Sequence, residues 1–184
     1  MSDTSLEPLF ICTETFGPWL GQRWYDYIKY SGLTQLKELV SLDAALCGPI
    51  LEEIKDEYWP HIVNEDFMLD YFKDLDFLLA QVSETKRKNT LCVFRNPPLH
   101  PVAPTDTLKF AFLGYDLVDL FGSASALSNC GGFSNAFSNT EINSYGLLDT
   151  YERALEVQAA LRANYPDEDH ADCHNWALFR AVEP

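Results

Sequence analysis

Cysteine, histidine and aspartate side chains in this sequence could form a catalytic group. Cys130 lies in a stretch of small residues and is followed by Gly131 and Gly132. A thiolate nucleophile needs a base, a partner that orients the base, and N–H donors for an oxyanion. His174 is the candidate base, Asp172 or Asn129 the candidate orienting residue, and the N–H groups of Cys130 and Gly131 the candidate donors. This set predicts a thiol-dependent hydrolase or transferase, but no family-specific signature surrounds Cys130, and a buried, inert cysteine is the more common outcome.

The stretch 122–146 is rich in Gly, Ser, Asn and Ala and predicts a loop that could line a pocket for a small molecule. Glycines let a backbone approach a ligand closely. The alternative is a long surface loop whose Asn and Ser residues cap turns, since neither GxxxxGK[ST] nor GxGxxG is present. The candidate ligand-binding residues are Asn129, Gly131 and Gly132 in the loop, with Asp116 and Asp119 before it.

Asp116 and Asp119 stand near the end of a predicted strand, where carboxylates often border a cleft and could do acid–base work. No partner carboxylate lies at a recognisable spacing. Asp116 could equally accept hydrogen bonds from backbone N–H groups of the loop and hold 122–146 in place. The sequence favours this structural role.

The run from His170 to His174, which includes Cys173, contains residue types that bind zinc. Cys173 and His174 are adjacent, and in a strand their side chains would point to opposite faces. No second short pair of ligands completes a familiar spacing. We therefore expect neither a metal nor a cofactor.

A dense acidic run predicts a surface for a protein partner. Glu53, Asp56 and Glu57 lie on a predicted helix that ends at Trp59. Aromatic anchors supply binding energy at protein interfaces, and charges steer the approach of a partner. A solvated acidic face is the ordinary alternative.

The formal net charge of −15 is large for 184 residues. Two acidic regions, 43–76 and 141–184, enclose a nearly neutral one. Such a field repels phosphate backbones and anionic lipids, so we expect no nucleic-acid or membrane partner. It attracts a basic protein, although acidic surface also serves solubility alone.

The cysteines and the hydropathy of the chain predict a location. Five cysteines are widely spaced without a CxxC pattern, and neither a secretory signal nor a run long enough for a membrane span is visible. Reduced thiols in a cytoplasmic protein are the expectation.

Hydrophobic periodicity and turn residues predict one α+β domain over 1–184, with a loose arm over 1–17. The predicted sheet is antiparallel or mixed, with about four strands packed by about four helices. The predicted elements are a helix from Pro18 to Gly32, a strand over 36–43, helices over 50–59 and 66–82, strands over 90–95 and 108–119 (the latter central), a helix from 149 or 150 to 165, and a strand over 173–182.

These observations favour a small, acidic, non-enzymatic protein-binding domain. Its size and charge have the physical character of an inhibitor or an immunity protein, an analogy that rests on charge and size. The enzyme centred on Cys130 and the small-molecule-binding domain remain the alternatives.

Overall fold

The structure is a computed structural model, and it describes residues 7–63, 67–105, 107–129 and 132–182. These residues form one four-stranded antiparallel sheet together with helices, which confirms the predicted α+β class. No described helix has the length and apolar character needed to cross a bilayer. The strands are β1 (Leu9–Cys12), β2 (Thr90–Arg95), β3 (Phe110–Val118) and β4 (His174–Ala181), and the α-helices are α1 (Gln22–Ser31), α2 (Leu75–Gln81) and α3 (Tyr151–Asn164).

The strand order is β1-β2-β4-β3, so β2 and β4 are the central strands. The prediction that 108–119 is central is therefore wrong, because β3 pairs with β4 alone among these strands. Its apolar pattern has another cause. Irregular chain covers the outer edge of β3, where Tyr115 N donates to Leu148 O over 2.8 Å and Leu148 N donates to Tyr115 O over 3.0 Å. The part of this edge strand from Leu113 to Val118 is therefore buried, as a central strand would be.

The two faces of the sheet are covered differently. One face packs mainly against α2 and α3 and presents Cys92, Phe94, Ala177 and Phe179. The other face carries Leu91, Val93, Trp176 and Leu178, and segments without regular secondary structure cover it. The covering side chains on this second face are Val40, Leu42, Leu69, Tyr71 and Leu147.

Residues at the helix ends explain why the sequence predicted α1 and α3 correctly. Gly32 ends α1 with a φ of 71°, a left-handed conformation that glycine adopts without steric cost. The hydroxyl of Thr150 accepts from Arg153 N over 3.3 Å and caps α3. Both helices and the strands β2 and β4 agree with the predictions, apart from a short 3₁₀ turn, Pro18–Leu20, that precedes α1.

The predicted helix over 66–82 is too long, because α2 begins only at Leu75. Asp74 caps it by accepting from Phe77 N over 3.0 Å. Residue 66 lies outside the described residues, and 67–74 form no helix, because Phe72 exchanges two backbone hydrogen bonds of 2.8 Å with Phe10 along the free side of β1. Tertiary pairing overrides the 3–4 periodicity of these residues.

Two further predicted elements are absent from the described chain. Residues 36–43 form no strand, because Leu42 N and Asp43 N donate to the side chains of Asp116 and Ser41 instead of to a ladder. The predicted helix over 50–59 is wrong as well. Ile50 N donates to Cys12 O over 2.8 Å, which ties the start of this segment to β1, and only Asp56–His61 is helical, as a 3₁₀ turn.

The N-terminal arm also needs correction. The sequence predicts a loose segment over 1–17, but Leu9–Cys12 forms β1, and Phe10, Ile11 and Cys12 are buried. Further along, Phe16 N donates to Leu39 O over 3.1 Å. Long-range pairing that starts at residue 9 is invisible to a local reading of the sequence.

Candidate functional site

The predicted catalytic set is only partly visible, since Cys130 and Gly131 lie outside the described residues. His174 opens β4 opposite Val118, and its Nδ1 lies 3.3 Å from Asn96 Nδ2. Asp172 lies at the end of a 3₁₀ turn, and its Oδ1 is 3.3 Å from Arg162 Nη2. The carboxylate predicted to orient the histidine thus has an arginine as its ion-pair partner.

The other four thiols, those of Cys12, Cys47, Cys92 and Cys173, are buried and free. Burial raises the pKa of Cys47, Cys92 and Cys173 to about 12, and it also raises the pKa of Cys12. A thiol with such a pKa is protonated at neutral pH and is a poor nucleophile.

Asp116, a predicted ligand-binding residue, is completely buried at the carboxyl half of β3. Its Oδ2 accepts from Ser41 Oγ over 2.7 Å and from Leu42 N over 3.1 Å. Its Oδ1 accepts from Leu117 N over 2.9 Å and from the hydroxyl of Ser125. Burial raises the pKa of Asp116, while these hydrogen bonds work against the rise.

A second buried carboxylate, Asp43, joins the same network and was missed by the sequence analysis. Its Oδ2 accepts from Ser128 Oγ over 3.1 Å, and its Oδ1 accepts from Ala45 N over 3.1 Å. Ser125 connects the two carboxylates, because its N lies 3.4 Å from Asp43 Oδ2 while its hydroxyl donates to Asp116. The Ser-Leu-Asp spacing at 41–43 and the serines at 125 and 128 were the only sequence signals for this network.

The remaining predicted ligand-binding residues surround the 122–146 loop. Asp119 Oδ1 accepts from Ser123 N over 2.9 Å. Asn129 Nδ2 donates to Ser31 O over 2.5 Å at the end of α1. Gly132 has a φ of 70° and open space at its Cβ position.

These contacts hold much of the described part of 122–146 against the sheet and α1. Tyr27 adds another contact, since its hydroxyl donates to Ser128 O over 2.7 Å. Buried polar groups that are fully hydrogen-bonded make a segment rigid and specify its position. Asp116 accepts hydrogen bonds from the chain around it, as expected for the structural role that the sequence favoured. Asp43 and Asp119 accept similar hydrogen bonds.

Metal-ligating side chains are dispersed. His170 Nε2 lies 3.2 Å from Ala124 O, and its ring packs against Phe133 with centroids 5.2 Å apart. Within the described ranges, no group of three or more His, Cys, Asp or Glu side chains is arranged to hold a metal ion.

The predicted protein-binding residues lie together on one exposed segment, 52–59. We call Glu52, Glu53, Asp56, Glu57 and Trp59 the acidic surface. All five are exposed, and Trp59 is 52% exposed. None of the four carboxylates forms a salt bridge with another described residue.

The buried ring of Tyr58 anchors the segment that carries the acidic surface. This residue is 3% exposed, and its ring meets Phe72 and Phe77 edge to face at centroid distances of 6.3 Å and 5.6 Å. Its hydroxyl donates to Gln81 Oε1 over 3.1 Å. The end of the same 3₁₀ turn is fixed as well, because the ring of His61 stacks on the ring of Phe77 with centroids 3.6 Å apart. The flanking residues are therefore held while Trp59 points to solvent.

Comparison of the chain with protein-family models, with curated proteins and with solved structures gave no match. The described residues thus form an α+β fold with an exposed tryptophan in a segment whose four carboxylates have no salt-bridge partner among them.

Proposed function

We propose that this protein binds a basic protein partner through the acidic surface and has no catalytic activity of its own. The observation that carries the proposal is the position of Trp59. It is half exposed among four unpaired carboxylates, on a segment that the buried Tyr58 holds against α2. An inhibitor or an immunity protein would act in this way, by covering a basic surface of its target.

Interface energetics support this assignment. Tryptophan is enriched among interface residues whose truncation costs about 2 kcal/mol or more. A segment whose backbone is already ordered loses less conformational entropy on binding than a flexible one. The 3₁₀ turn Asp56–His61 orders the backbone that carries Trp59.

Electrostatics supply the selectivity. Unpaired carboxylates attract Lys and Arg side chains and raise the rate of association with a basic partner. The whole chain carries a net charge of −15, so its long-range field acts in the same direction as the local one. Neutral or acidic proteins gain nothing from this field.

Other described groups support binding in preference to chemistry. The four described thiols are protonated at neutral pH. The oxygens of Asp43 and Asp116 already accept hydrogen bonds from serines and backbone N–H groups. Such groups hold structure in place.

The proposal is tested by titrating the ¹⁵N-labelled protein with a short Lys- and Arg-rich peptide that carries one central leucine. We expect amide shifts concentrated over 52–61 and an affinity that falls as salt rises, because screening shortens the reach of the carboxylates. E53Q/E57Q should weaken binding several-fold. W59A should weaken it without any change in charge.

Matched controls separate the surface from the net charge. D167N/E168Q removes two exposed acids elsewhere, and W19A removes another exposed tryptophan. Both should bind like the wild type. Equal losses in the control and test variants, shifts spread over the whole chain, or binding that ignores salt would each contradict the proposal.

A further inference from the structure

A cleft of about 460 Å³, lined by both polar and apolar side chains, lies between the segment Thr13–Leu20, the start of α1 and the 3₁₀ turn Glu84–Asn89. Its size falls within the range of small-molecule sites, roughly 300–1,000 Å³. It shares no residue with the acidic surface or with the 122–146 loop. Binding of a ligand in this cleft is therefore independent of binding at the acidic surface.

Three basic side chains line the cleft, although the protein as a whole is strongly acidic. Arg23, Lys86 and Lys88 line it, and Glu14 is the single acid among the lining residues. None of these three cations forms a salt bridge within the described chain. The chain has 13 basic and 28 acidic residues. Three unpaired cations around one cleft thus form a local site for an anion.

The positions of two of the basic groups in this region are fixed by contacts. The guanidinium of Arg23 lies 5.1 Å from the centroid of the Phe16 ring, a cation–π contact at the cleft wall. Arg87, between the two lysines, turns away, because its Nε donates to Val82 O over 2.8 Å at the end of α2. Lys86 and Lys88 are both exposed and line the cleft.

One wall of the cleft is a flat aromatic ring. Trp19 packs directly on Gly17, where a Cβ atom would lie 2.3 Å from the indole, so any larger residue at 17 would displace the ring. Trp19 nevertheless remains 61% exposed. An indole supported on one side and open to solvent offers a surface on which a planar ring stacks.

Asn89, one of the lining residues, is itself held in place. Asn89 is 5% exposed, and its Nδ2 donates to Thr13 Oγ1 over 2.7 Å. Its Oδ1 is buried and has no hydrogen-bond partner in the part of the chain that the structure describes. Leaving such a buried atom unpaired is costly.

From these observations we propose that the cleft binds a small phosphorylated compound with a planar ring, of the nucleoside monophosphate class. The phosphate is met by Lys86, Lys88 and Arg23, and the ring stacks on Trp19. A long nucleic acid is disfavoured at the same site, because the net charge of −15 on the whole chain repels its further phosphates.

Calorimetric titration with adenosine 5′-monophosphate, adenosine and inorganic phosphate tests this site. We expect the monophosphate to bind and each fragment to bind more weakly. K86Q/K88Q should reduce the affinity for the monophosphate about tenfold or more, and the affinity should fall with salt. W19A should reduce the affinity for the monophosphate and leave that for phosphate unchanged.

The control is K29Q/K37Q, which removes two exposed lysines outside the cleft and should bind like the wild type. All substituted side chains are exposed, and thermal denaturation will establish that the variants fold. No binding of the monophosphate at about millimolar concentration, or equal binding by K86Q/K88Q, overturns the site. Equal affinity for phosphate alone overturns the role of the ring, and equal affinity for adenosine overturns that of the cations.

Discussion

The hydroxyl of Tyr58 donates a 3.1 Å hydrogen bond to the side-chain carbonyl of Gln81, joining the 3₁₀ turn that carries Trp59 to the last residue of α2. The segment that carries the acidic surface is therefore attached to the packed core through Tyr58. Its geometry depends on one buried tyrosine and on the helix beneath it.

Replacing Tyr58 tests this dependence. Y58F keeps the ring contacts and removes the hydrogen bond, and we expect a loss of about 0.5–1.5 kcal/mol in the free energy of unfolding. Y58A removes the ring too and should cost about 3–5 kcal/mol. Urea denaturation measures both losses. The exposed control W59A should change stability little, and a Y58A protein as stable as the wild type would show that the turn is held by other contacts.

D116N tests the buried carboxylate network. Leu42 N and Leu117 N both donate to the Asp116 carboxylate, and the NH₂ of an asparagine cannot accept from the donor that it would face. We expect a loss of about 1–3 kcal/mol in the free energy of unfolding, measured with urea at neutral pH. D167N, at an exposed site, serves as the control and should stay within about 0.5 kcal/mol of the wild type.

The raised pKa of Asp116 predicts the sign of a pH effect on that loss. The folded state binds this proton more tightly than the unfolded state, so the wild type loses stability as pH rises from the ordinary aspartate value of 3.8 through the raised pKa. The advantage of the wild type over D116N should be largest at low pH and smaller above this window. An advantage that grows with pH would contradict the raised pKa.

Thiol labelling distinguishes Cys130 from the other cysteines. Burial and raised pKa values should keep Cys12, Cys47, Cys92 and Cys173 unreactive toward iodoacetamide in the folded protein near neutral pH. Any fast labelling should then disappear in C130S, and all five thiols should react in urea. Fast labelling that persists in C130S would contradict the burial of the other four, and no fast labelling at all would remove the thiol-enzyme alternative.

The ion pair between Arg153 and Glu141 predicts a second pH dependence, of opposite sign. Arg153 Nε donates to Glu141 Oε1 over 2.6 Å, and Nη2 donates to Oε2 over 3.2 Å. The hydrogen bond from Arg153 lowers the pKa of Glu141, so its stabilisation is present above the ordinary glutamate value of 4.5 and is lost as pH falls through the lowered pKa.

E141Q should therefore lose up to about 1 kcal/mol in unfolding free energy at neutral pH, a modest value because both side chains are partly exposed. Urea denaturation at neutral and acidic pH measures this loss, and the difference from the wild type should vanish in acid. E156Q removes the more exposed partner of Arg153 and should lose less. A larger loss for E156Q than for E141Q would show that Glu156, and not Glu141, is the main stabilising partner of Arg153.

The elements that the sequence predicts correctly are those with strong local signals. Thr150 and Pro166 delimit α3, Gly32 ends α1, and the short apolar run over 90–95 forms β2. The failures share a different cause. Phe72 and Leu39 pair with residues far away in the chain, and such pairing leaves no trace in local periodicity.

The candidate sites show the same division. Exposed charge beside an aromatic residue can be recognised in a sequence, and Glu53, Asp56, Glu57 and Trp59 are exposed as their residue types suggest, while their role in binding a partner stays a prediction. The hydrogen bond between Tyr58 and Gln81 could not be predicted, because 23 residues separate them in the chain. The basic cleft combines Arg23 from α1 with Lys86 from a distant turn, and only the fold brings them together.

The strand order has a consequence for biosynthesis. β4 lies between β2 and β3 and pairs with both, so neither pairing can form until residue 181 has been made. Until then β2 has β1 on one side only, and the aromatic and aliphatic side chains of both strands lack their main cover. A nascent chain in this state exposes unpaired strand edges that promote aggregation. Sheets whose strands are far apart in sequence also fold slowly. Shielding by chaperones during translation should therefore matter more for this protein than for a helical bundle of equal length.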